Sequence, residues 1–156
     1  MNTPQERVVY ASPLSFEAGR IGAAAVYCSD GRFGEPFDDF LHNALKLPRY
    51  DRLAVPGGAA CLAGHFAAHR EEDAVIEQLR FLVNVHGIER VVLIAHQSCA
   101  FYTEWLHVSP LLLESKQRDD IETAVRRVAS IERSLQVDAF FARIDWQGKI
   151  GFERMG

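Results

Sequence analysis

No stretch of this 156-residue chain approaches the roughly 20 consecutive apolar residues that a membrane-spanning helix requires. Basic residues are not in excess: 17 Lys and Arg stand against 21 Asp and Glu, for a formal net charge of −4. A nucleic-acid partner, which calls for a basic face, is therefore not expected. The opening residues, MNTPQERVVYASPLSFEAGR, have neither the basic start nor the apolar centre of a signal peptide, so a cytoplasmic location is expected. Cysteine is scarce and odd in number, at three. In that compartment a disulfide framework is not expected, and the uses left for the thiols are metal ligation, nucleophilic attack or plain core. No repeat, low-complexity segment or Pro/Gly/Ser linker divides the chain, which predicts a single domain over residues 1–156. What is present, 48% hydrophobic and 24% charged residues, suits an ordinary globular protein with a sizeable core.

The apolar runs are of strand length. IGAAAVYC (21–28), YDRLAVP (50–56), ERVVLIAH (89–96) and VDAFFARID (137–145) read as buried strands, and GKIGFER as a short edge strand. RVVYA (7–11) reads as a short extended piece within an otherwise irregular N-terminus. Helical patterns fall between the strands: 35–48 with Pro36 and acids in its first turn, 71–87 stopped by Gly87, and 116–136 with Ile121, Val125, Val128, Ile131 and Leu135 inward. AACLAGHFAAH and residues 100–108 read as shorter helices. This alternation predicts an α/β three-layer sandwich around a mostly parallel sheet of four to five strands. In such sheets chemistry gathers beyond the carboxyl ends of the strands.

Two strand ends carry that chemistry. Cys28 closes the first strand, and His96 closes the third with Cys99 three positions on. If the two strands are neighbours, two sulfurs and one imidazole converge, a donor set that suits tetrahedral zinc and leaves a fourth position open. Asp30 and Arg32 follow Cys28 at two-residue steps. Arg32 can hold Asp30 ionised through a forked hydrogen bond. Asp30 would then either orient a nucleophile on the metal or ligate the metal itself.

C-x-D-x-R followed by H-x-x-C, here CSDGR (28–32) and HQSC (96–99), resembles the signature of the β-class carbonic anhydrases. The likeness runs from about Ile21 to Phe141 and takes in GEPFDDFL and the turn VPGGA. It implies zinc held by Cys28, His96 and Cys99, and a catalytic dyad of Asp30 and Arg32. It also implies reversible hydration of carbon dioxide to bicarbonate by hydroxide on the zinc, in a homodimer or a multiple of dimers. With two thiolates on the metal, activity is expected to rise with pH. The chain departs from the family pattern at several places. Gly31 stands for the usual Ser, Ala100 for the glycine after the last ligand, and AVPGGAAC for the Arg-Asn stretch. SFEAGRIG has no glutamine, and the N-terminal arm is short. Two other readings stay open: a zinc hydrolase of carbonyl sulfide or carbon disulfide, and a catalytically silent zinc-binding protein.

The remaining candidates have plainer expectations. Cys61 reads as core and His42 as surface. His65 and His69, one helical turn apart, have the spacing of a metal pair or proton carrier, but the sequence sets no acidic ligand beside them. Gly57-Gly58 reads as a tight turn or a small-anion cradle. Phe33, Phe37, Phe101 and Tyr102 read as core, interface or an apolar wall of the site. The charge run 114–133 reads as a solvated helix face.

Overall fold

Strands β1 (Ala23–Cys28), β2 (Asp51–Val55), β3 (Arg90–His96), β4 (Gln136–Ile144) and β5 (Ile150–Met155) form one sheet in the order β2-β1-β3-β4-β5. They belong to a computed structural model that describes residues 1 and 7–155. The first four strands are parallel, and β5 returns antiparallel on β4. Side chains alternate between the two faces, as the pleat requires. Ala24, Val26, Val91 and Leu93 pack with Val75 and Leu79 of α2 (His69–Phe81) and with Ile121 and Val128 of α3 (Leu113–Ala129). On the opposite face Ala25, Tyr27, Val92 and Ile94 meet Phe37 of α1 (Gly34–Asp39) and Leu41 just beyond it. The result is the expected three-layer α/β sandwich with a mostly parallel sheet.

The strand order fixes where a site can form. The chain leaves β1 for β2 on one side, then crosses to β3 on the other, so the topology reverses between β1 and β3. Tyr27 is paired with Ile94 across that boundary, and Cys28 and His96 therefore emerge at the same edge.

The helices differ from their predicted spans in instructive ways. α1 and α2 each finish in one wide π-type turn, Phe40–Ala44 and Leu82–His86, the second stopped by Gly87 at φ 66°. α3 starts at Leu113 and stops at Ala129, seven residues short of the predicted end at 136. There the Ser130 hydroxyl donates to the Arg127 carbonyl at 2.7 Å, and a side chain that satisfies local backbone competes with helix propagation. Leu135 is buried all the same, from the turn before β4. AACLAGHFAAH is two 3₁₀ turns, Gly58–Ala63 and Phe66–Ala68, separated at Gly64 with φ 79°. The 100–108 segment is a single wide turn, Phe101–Trp105. Arg7–Ala11 forms no strand. Among the described residues no helix is long and apolar enough to cross a membrane.

Candidate metal centre

Cys28, His96 and Cys99 offer donor atoms that all lie within 4.8 Å of one another, and all three residues are buried. Among the described residues no other group of three His, Cys, Asp or Glu donors converges in this way. Each donor residue is placed by a separate backbone device. Cys28 is the last residue of β1 and His96 the last of β3. Cys99 is brought back beside His96 by a tight turn in which Ser98 takes φ 57°. A non-glycine residue in that region costs about 1–3 kcal/mol and is sustained by its surroundings, here the turn that aims two ligands at one point.

His96 is oriented for coordination. Its Nδ1 lies 2.8 Å from the Gln97 carbonyl oxygen, an acceptor, so Nδ1 carries the proton and Nε2 has the free lone pair. That Nε2 is buried with no hydrogen-bond partner. A buried ring nitrogen without a partner is costly unless an electrophile or donor meets it. Zinc is such a group, and a Cys₂His donor set is chemically suited to it. The imidazole is also clamped from the sides. The Phe33 ring packs against it, tilted by 32° with centroids 4.2 Å apart, and Gln117 of α3 donates its Nε2–H to the His96 backbone carbonyl at 2.8 Å.

Their proximity moves the two thiols in opposite directions. Interaction with the Cys99 thiol, the largest influence on Cys28, drives the Cys28 thiol well below its ordinary range. The same interaction, with burial, drives Cys99 up. Ala60, Tyr102 and Leu113 form the apolar wall around both cysteines.

Asp30 and Arg32 form the fork that their spacing suggests. Arg32 Nε lies 3.0 Å from Oδ1 and Nη2 lies 2.7 Å from Oδ2, while the Arg32 amide donates to Oδ1 at 3.0 Å. These hydrogen bonds hold the Asp30 carboxyl down at about 2. Both carboxylate oxygens are engaged, and Asp30 is outside the converging donor group.

The glycine turn is a close-packing device. Gly57 and Gly58 have φ 77° and 55°. A Cβ on Gly58 would lie 2.8 Å from the Cys28 nitrogen and the Tyr27 carbonyl carbon, and one on Gly57 would lie 2.4 Å from the Phe101 ring.

A family model described as "Putative carbonic anhydrase" matches residues 19–150. The chain belongs to this carbonic anhydrase family. Among solved structures, the β-carbonic anhydrase isoform I of the protozoan Trichomonas vaginalis superposes with a TM-score of 0.56 at 17% identity, over 94% of this chain and 89% of that one. The β-carbonic anhydrase CafA of the fungal pathogen Aspergillus fumigatus gives a TM-score of 0.49 at 17% identity, over 87% and 76%. No curated protein matches the chain. The first of these likenesses establishes the fold of this family member as that of the β-carbonic anhydrases.

The other sequence candidates separate clearly. Cys61 is fully buried core, its thiol donating to the Gly58 carbonyl and pushed up to about 12 by burial. His42 is half-buried against the Tyr50 ring rather than free on the surface. His65 and His69 do not act together: His69 bonds the Phe66 carbonyl, whereas His65 reaches Asp120 at 2.6 Å. Sequence reasoning missed Gln117 and Asp120, which lie inside the supposed solvated charge run yet are buried. A signal was present, since both occupy the same helical stripe as Leu113, Ile121, Ala124 and Val128.

Proposed function

We propose that this family member is a zinc-dependent carbonic anhydrase that interconverts carbon dioxide and bicarbonate, with Cys28, His96 and Cys99 as metal ligands and Asp30 and Arg32 as the catalytic dyad. The observation that carries the reading is the buried, unpartnered His96 Nε2 facing two cysteine sulfurs beside the Asp30–Arg32 fork. Family membership and the β-carbonic anhydrase fold support the same reaction.

Zinc bound there supplies an acidified water, its pKa lowered from 15.7 toward about 7, as a nucleophile near neutral pH. The chain's own residues do the rest. The two sulfurs and His96 Nε2 would hold the ion. Asp30, ionised throughout the neutral range, accepts a hydrogen bond and fixes the direction of attack. Arg32 keeps that carboxylate from turning toward the metal by occupying both its oxygens. The apolar surfaces of Ala60, Tyr102 and Leu113 exclude water and suit a small nonpolar substrate. The same reading takes residues 1–156 as a single cytoplasmic domain working as a homodimer or multiple of dimers. The fully exposed Val9, Leu14, Phe16 and Leu111 support an assembly that covers them.

The test is stopped-flow carbon dioxide hydration by protein of known zinc content, from neutral to alkaline pH. Zinc-dependent hydration that rises with pH and is lost in Asp30→Asn is the expected result. Full zinc occupancy with no hydration at any pH would overturn the reaction and direct attention to carbonyl sulfide, carbon disulfide or a noncatalytic role. Cys28→Ser is expected to lose zinc, measured by metal analysis after gel filtration.

A further inference from the structure

Asp120 is 3% exposed and sits on the inward stripe of α3. Its charge already has a partner on its own helix, Lys116, whose Nζ lies 3.1 Å from Oδ1. The Tyr102 ring, part of the apolar wall around the cysteines, lies beside it. The second hydrogen-bond partner comes from elsewhere: His65 Nε2 lies 2.6 Å from Oδ2. A buried carboxylate compensated from its own helix does not need a loop histidine for charge balance alone. What His65 adds is a tether between two segments 55 residues apart.

The segment so tethered begins at the metal centre. Gly58 lies against the Tyr27–Cys28 peptide, where a Cβ would come within 2.8 Å of the Cys28 nitrogen, and Ala60 packs with Cys28 and Cys99. Between Gly57 and His65 the backbone has only one short 3₁₀ segment, ended at Gly64. Its middle is seated in the core through Ala59, Cys61 and Leu62, and its far end, past the Gly64 turn, is held by His65. One helical turn before Asp120, Gln117 holds the His96 carbonyl. α3 therefore reaches both sides of the donor set, His96 through Gln117 and Cys28 through the loop.

We propose that His65 and Asp120 are a positioning pair for the Cys28–His96–Cys99 centre, pinning the Gly57–His65 loop to α3 so that Gly58 and Ala60 stay packed against Cys28 and Cys99. This rests on the metal assignment above. His65 is outside the converging donor group and acts through the loop.

The experiment compares His65→Ala, His65→Gln and Lys116→Ala in the full chain, with two readouts. One is amide hydrogen exchange at Gly57, Gly58 and Ala60 in metal-free protein. The other is release of zinc from loaded protein to a chelator. His65→Ala is expected to speed the exchange about tenfold or more and zinc release by about 10- to 100-fold. His65→Gln, whose amide can still donate to Asp120, is expected to restore both. Lys116→Ala removes a charge partner but no tether, and is expected to leave both near the wild-type rates. If His65→Ala does not fold, His65→Asn, polar but too short to span the gap, takes its place. Unchanged exchange in a folded His65→Ala or His65→Asn, or equal acceleration by Lys116→Ala, overturns the proposal. A chain that takes up no zinc, yet shows acceleration only on loss of His65, would sink the metal assignment and retain the tether.

Discussion

Arg32 sets both the direction and the acidity of Asp30. Its hydrogen bonds lower the carboxyl from 3.8 to about 2. The folded value lies below the unfolded one, so the ion pair stabilises the fold above pH ~4 and that contribution is lost as pH falls through about 2. A ¹³C NMR titration of the Asp30 carboxyl is expected to show this low midpoint, and Arg32→Ala to return it to the ordinary carboxylate range. Asp30 is ionised at neutral pH in either protein. Arg32→Ala is therefore expected to reduce carbon dioxide turnover without moving the neutral-range midpoint of the pH–rate profile. A shift of that midpoint would mean that Arg32 acts on the metal site's charge rather than on Asp30's orientation. Gln117 is a second residue with a sharp role. Gln117→Leu removes the donor to the His96 carbonyl, and denaturant unfolding is expected to show a loss of about 1–3 kcal/mol.

Among the elements, the loop after β2 is the least tolerant of change. In Gly58→Ala the new Cβ would meet backbone atoms of Tyr27 and Cys28 at 2.8 Å, and these cannot rotate away as a side chain can. Together with the positive φ, the substitution is expected to cost about 2–4 kcal/mol in urea unfolding and to weaken zinc retention. A variant with unchanged stability would show that the loop can lift off β1. The strands were legible in the sequence because each is a short apolar run ended by polar or turn residues. Cys28, His96 and Cys99 were legible because they end such runs. The partners that hold them were not. Gln117 and Asp120 reach the site only through the packing of α3, some twenty residues on in the chain. A polar residue on an apolar stripe was their one local mark. The early end of α3 was hidden too, since Ile131 and Leu135 keep the helical period while the backbone has already turned.

For the whole molecule, the sheet has one edge capped by antiparallel β5 and the other, β2, open. Exposed apolar side chains include Val9 and Phe16 near the N-terminus. Sedimentation is expected to give a dimer or larger species, and a monomer at all concentrations would count against the proposed assembly. The proposed ligand set also has a topological consequence. Cys28 belongs to the first crossover unit of the chain and His96 and Cys99 to the second, with β2 and α2 lying between them in sequence. An ion bound by all three therefore works as a removable staple across about seventy residues of chain, closing a long loop whose entropy the unfolded state would otherwise keep. Free zinc at 100 times its dissociation constant is expected to add about 2.7 kcal/mol to folding, read as a higher melting temperature that a chelator reverses. Cys28→Ser should melt at one temperature with or without zinc. The atom proposed for the chemistry would then also decide how long the chain stays folded.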